Sequence, residues 1–215
     1  MSFLSFTLLS DGSSDKTLIP HLTWLLKQNG VTLPIVPVWA DLNRLRERPN
    51  SLSKKIERSL ELYPCDVLFI HRDAEREPPN NRRDEITEAL SSLNQNLAKP
   101  SFVYVIPVRM SEAWLLFDEN AIRRATGNLD GRAKITLPNP RNVENLPDPK
   151  EILFNALRVA SEKSGRKLKQ LNADMPILRH RVSELIEDFS PLRSLSAFQQ
   201  LEEDIKSLIV KNGLM

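Results

Sequence analysis

Residues 66–75 read Asp66-Val67-Leu68-Phe69-Ile70-His71-Arg72-Asp73-Ala74-Glu75, and this stretch decides the fold. Val67 to Ile70 is apolar without alternation, the pattern of a strand covered on both faces, and it stops abruptly at His71-Arg72-Asp73. A central strand is predicted. Upstream, Phe3, Leu4, Phe6, Leu8 and Leu9 form a second short apolar run closed by the turn Asp11-Gly12-Ser13-Ser14. Leu18, Leu22, Leu25 and Leu26 then recur at helical spacing up to Asn29-Gly30, with Ser14 or Asp15 as the cap. Val31 to Trp39 is extended and apolar, but Pro34 and Pro37 suit it to an edge. A helix through Leu52, Ile56 and Leu60 leads to the central strand. Beyond that strand come a helix through Ile86, Leu90, Leu93 and Leu97, a strand over Phe102 to Val108, and a helix from about Ser111.

Strands alternating with helices predict an α/β fold, a mostly parallel sheet flanked by helices, because parallel neighbours need crossover connections. The predicted organisation has three parts. Residues 1–126 form the α/β core, and 127–149, with Pro138, Pro140, Pro147 and Pro149, form a loop. Residues 150–215 form a helical C-terminal part through Leu153, Leu157, Leu201, Ile205 and Ile209. The chain has 215 residues, 40% of them hydrophobic, enough to bury roughly 70% of its unfolded surface. Thirty basic against 28 acidic residues leave a formal charge of +2, so any basic face must be local. The single Cys65 rules out an internal disulfide and a cysteine-rich zinc site. With no apolar run near the ~18 residues of a membrane span, and no basic leader, a cytoplasmic protein without a membrane partner is expected. Neither GxxxxGK[ST] nor GxGxxG occurs. His71-Arg72-Asp73 is not a kinase catalytic loop, since Pro78 stands where that loop needs Asn.

Acids follow three strands: Asp11 after the first, Asp73 and Glu75 after the central one, and Glu112 after the Phe102–Val108 run. Ligands of such sheets lie beyond the carboxyl ends of the strands, where these acids would gather. Two carboxylates about 4 Å apart repel by roughly 1 kcal/mol in water and about 4 kcal/mol at an effective dielectric near 20. Acids sharing a crevice therefore need a cation or a proton, and hard divalent ions bridge carboxylates to phosphate.

The Asp11-Gly12-Ser13-Ser14-Asp15 loop, the Asp73-Ala74-Glu75 step and Glu112-Ala113-Trp114 together resemble the Toprim domain of topoisomerases, primases and related nucleases. The nearest likeness is to compact Toprim-related bacterial proteins. It spans about residues 3–118, with a weaker echo in the SPLRSLSAFQQLEEDI segment. The family has Glu at the first acid and Asp-x-Asp at the pair, where this chain has Asp11 and Asp73-Ala74-Glu75. The resemblance implies a metal-dependent nuclease holding Mg2+ or Mn2+, in bacterial defence or a mobile element. Asp11, Asp73 and Glu75 would be the catalytic metal-binding acids, joined by Glu112 as a further metal ligand. Lys16, Arg72 and Arg109 would steady the phosphate of DNA or RNA. The alternative is a non-catalytic Toprim-fold module acting through a protein partner.

Other residues have plainer expectations. Ser14 and Asp15 read as helix caps, worth about 1 kcal/mol. Arg72, Arg76 and Glu77 also read as a solvated charge run, Glu112 also as a helix-dipole acid, and His71 and His21 as core or rim histidines. Trp24, Trp39, Trp114 and Cys65 read as buried and inert. Residues 150–181 carry eight Lys or Arg against three acids, a net +5, in a chain whose remainder is net −3. Such a segment suits a phosphate backbone or a solvated helical face, and lacks aromatics after Phe154 for base stacking.

Overall fold

The computed structural model describes residues 2–75, 77–94, 97 and 100–214. Arg76, named in the charge run above, lies outside the described residues. Four strands, β1 (Leu4–Leu9), β2 (Ile35–Trp39), β3 (Val67–His71) and β4 (Ser101–Val105), form one all-parallel sheet in the order β2-β1-β3-β4. The α/β expectation is met. β3 is buried along its whole length between β1 and β4, as its uninterrupted apolar run requires. β2 is an edge strand. Ala40 donates its N–H to Leu8, and the two-residue period puts Val36 and Val38 on that same bonded side. Pro37 therefore falls where its missing N–H would have faced the open edge, so no ladder bond is lost.

Helices α1 (Leu18–Gln28), α2 (Leu52–Leu62) and α3 (Pro79–Ser91) make the crossovers. Side chains alternate across the sheet, which divides the core in two. Leu4, Phe6, Leu8, Val67, Phe69, Val103 and Val105 face α1 and the C-terminal helices. Leu9, Leu68 and Ile70 face α2 and α3 through Ile56, Leu60 and Ile86. After β4 the chain forms a short 3-10 turn over Ser111–Leu115, where the sequence predicted the start of a helix, and α4 follows at Glu119–Thr126. Residues 127–148 are irregular apart from a 3-10 turn at Pro140–Asn145.

Helices α5 (Pro149–Ser161), α6 (Gly165–Ala173), α7 (Met175–Leu185) and α8 (Ser196–Asn212) complete the chain. They are not a detached lobe. Leu153, Val182, Phe198 and Ile205 belong to the same apolar cluster as β1 and α1. Phe198 is fully buried and meets Trp114 edge to face at a centroid distance of 5.3 Å. Phe198→Ala should cost about 3–5 kcal/mol, measured by denaturant unfolding, because the cavity opens between α8 and the segment after β4.

Among the described residues, no helix is long and apolar enough to cross a membrane.

Candidate metal centre

The chain leaves β1 towards β2 on one side, while β3 lies on the other, so the loops after β1 and β3 part above the crevice between them. A ligand site is expected at this switch of direction. The loop after β1 folds into a 3-10 turn over Ser13–Thr17 that turns Asp15 back towards the sheet. Its carboxylate accepts from the Gly12 N–H at 3.2 Å and from the Ser14 hydroxyl at 3.0 Å. Asp15 does not cap α1, whose N-cap is Thr17 without a side-chain bond; it closes the preceding 3-10 turn instead. His71, the last residue of β3, lies on the same sheet face as Val67 and Phe69, and Asp73 follows two residues on.

These three residues meet. Nε2 of His71 stands 3.2 Å from Oδ1 of Asp73, and Nδ1 stands 3.5 Å from Oδ2 of Asp15. One potential ligand atom from each of Asp15, His71 and Asp73 lies within 4.8 Å of the other two. The Asp15 and His71 side chains are buried, whereas that of Asp73 is 26% exposed, giving the group a wet side.

Burial presses His71 towards its neutral form. The two neighbouring carboxylates, Asp15 and Asp73, outweigh it and hold the imidazole pKa up to about 9. Burial likewise opposes ionisation of Asp15, but His71, Ser14 and the Gly12 N–H together keep its carboxyl below the ordinary carboxylate range. The 3.5 Å separation is too long for a well-formed hydrogen bond, so Nδ1 of His71 is a buried nitrogen without a hydrogen-bond partner among the described residues. Two carboxylates and an imidazole, one of whose buried nitrogens is under-satisfied, fit a divalent cation. Neighbouring ligands of an octahedral ion with bonds of about 2.1 Å stand about 3 Å apart, close to the His71–Asp73 spacing. The buried Asp15–His71–Asp73 group is therefore able to bind a metal ion.

The acids expected from sequence are distributed differently. Asp73 is in the group. Asp11 is half exposed on the rim, where Lys55 and Arg72 reach it at 2.7 and 2.6 Å. Arg72 also pairs with Glu85 at 3.1 Å. Glu75 is exposed and outside the group; its backbone is left-handed, φ 56°, and its N–H donates to the carbonyl of Arg109, itself left-handed at φ 71°. Glu112 is buried, but its carboxylate pairs with Arg179 of α7, not with the acids above the sheet. Lys16 sits beside the group in sequence, its ammonium 4.3 Å from the ring centroid of Trp39. Sequence reasoning missed Asp15 and His71. The signal for Asp15 was its place in the loop after β1, four residues beyond Asp11. The signal for His71 was the strand period, which puts it in line with Val67 and Phe69.

No protein-family model, curated protein or solved structure matches this chain.

Proposed function

We propose that this protein is a divalent-metal-dependent hydrolase of phosphodiester bonds in nucleic acid, on a Toprim-like α/β fold. The observation that carries the reading is the Asp15–His71–Asp73 group at the carboxyl ends of the two central strands, with cations on its rim. Asp15, His71 and Asp73 would hold the ion. When bound, it supplies neutralisation of phosphate charge and activation of water. Arg72 and Lys55 converge on Asp11, so both cations point at one spot where a phosphate oxygen can replace that carboxylate. Lys16, next to Asp15 in the chain, is a third cation near the group. In the reaction water attacks phosphorus and the bridging P–O bond breaks, leaving a phosphate monoester and a free hydroxyl.

Mg2+ and Mn2+ are the proposed ions, and the imidazole tips the donor set towards Mn2+, which accepts nitrogen more readily than Mg2+. Incubation of the purified protein with DNA and RNA, in Mg2+, Mn2+ or chelator, should show cleavage that depends on the ion and is faster in Mn2+. Absence of cleavage on every substrate, with no heat of Mn2+ binding by calorimetry, would sink the proposal.

One observation favours a second reading, a non-catalytic module working through a protein partner. A protonated His71 already offsets one of the two carboxylate charges and steadies the group without an ion. Under that reading Asp73→Ala leaves biological activity intact.

A further inference from the structure

A cleft of about 430 Å³ lies between the Ser13–Thr17 turn and the start of α7. Ser14, Lys16, Ile177, Arg179, His180 and Arg181 line it, with Glu184 as its acid. Ser14 connects the cleft to the metal centre, because its hydroxyl is bonded to Asp15. Arg179 is nine-tenths buried; Glu112 holds its Nη1, while Nε has no hydrogen-bond partner among the described residues. The guanidinium therefore keeps donor capacity. Arg181 is exposed and has no ion-pair partner among the described residues, and His180 faces Glu184 at 3.4 Å. Lys163, Arg166, Lys167 and Lys169, which precede α7 in the chain, are exposed as well.

From this geometry we infer that the cleft is a second phosphate subsite, seating the backbone of a nucleic-acid strand alongside the Asp15–His71–Asp73 group. The inference rests on the reading of that group as a phosphodiester site and deepens it by naming the path of the substrate. A lone small anion would need only a few of these groups. Lys16, Arg179 and Arg181 along one cleft match charges repeated along a polymer. Ile177, 69% exposed, offers apolar contact to a sugar or base edge at the rim. No Phe, Tyr or Trp lines the cleft, so binding follows the backbone and is indifferent to sequence.

The test is fluorescence anisotropy in chelator, using single-stranded DNA, single-stranded RNA and duplex DNA probes about 16 nucleotides long. Wild type should bind at least one probe, and the tightest names the strand. Arg181→Glu should bind it about tenfold more weakly at low salt, with a salt dependence shallower by about one counterion. Its melting temperature should match wild type, since Arg181 is exposed and unpaired. The subsite is overturned if wild type binds no probe, or if Arg181→Glu binds as tightly as wild type. Cleavage by wild type in Mn2+ is scored separately, so loss of the metal reading and loss of the subsite are distinct outcomes.

Discussion

Asp73→Ala is expected to lower Mn2+-dependent hydrolysis on the order of 10³-fold, since losing even an outer-shell partner of a metal costs about 10–100-fold and a direct ligand costs more. Asp73 is the member of the group with access to solvent, 26% exposed, and it supplies the carboxylate nearest Nε2 of His71. Its removal leaves His71 and Asp15 as a donor pair too small to hold an ion against water. Calorimetry should show the Mn2+ heat disappear, and single-turnover cleavage should show the rate fall. Because the side chain is at the wet side of the crevice, the protein should still fold, which circular dichroism checks. Glu75→Ala is the matched control. That residue is exposed and outside the group, so its variant should cleave within about twofold of wild type, surface substitutions away from such features being nearly neutral. If Asp73→Ala keeps wild-type activity, or if Glu75→Ala loses it, the Asp15–His71–Asp73 centre is not the site of chemistry.

Stability of the metal-free protein should peak near pH 6.5 and fall on both sides. His71 has its folded pKa raised to about 9, above the ordinary 6.5, so its contribution is complete below pH 6.5 and disappears as the pH rises to about 9. His21 does the reverse. Burial pushes its pKa down to about 4, against the pull of the Trp114 and Thr17 carbonyls, while its ring lies 4.1 Å from that of Phe189. Its contribution is complete above pH 6.5 and is lost as the pH falls to about 4, because the unfolded chain takes up a proton that the folded one refuses. At 1.36 kcal/mol per pKa unit, each limb amounts to about 3 kcal/mol. Urea unfolding in chelator at a series of pH values reads both. His71→Asn should flatten the alkaline limb alone, and His21→Gln the acid limb alone. A profile flat from pH 6.5 to 9 would show that His71 does not carry the proton between Asp15 and Asp73.

Much of the architecture was written in the local pattern. The unbroken Val67–Ile70 run led to a strand buried on both faces, and β3 is that strand. Pro37 led to an edge, and the edge is β2. The site was less legible because the side chains beyond a strand's end depend on the path of the next few residues. Asp11 and Asp15 belong to one loop. The 3-10 turn sends Asp15 inward to His71 and leaves Asp11 to Lys55 and Arg72. At Glu75 a left-handed backbone turns the chain aside. Glu112 lies in the 3-10 turn some way beyond β4, and Arg179, 67 residues later, pairs with it.

The sequence by itself determined the parallel α/β sheet and the polar residues that follow its strands, because burial and periodicity are properties of neighbouring residues. Only the tertiary structure decided which acids come together around His71. That choice depends on distances of a few ångströms between β1, β3 and α7, and Coulomb interactions between unpaired and paired carboxylates differ steeply over such distances.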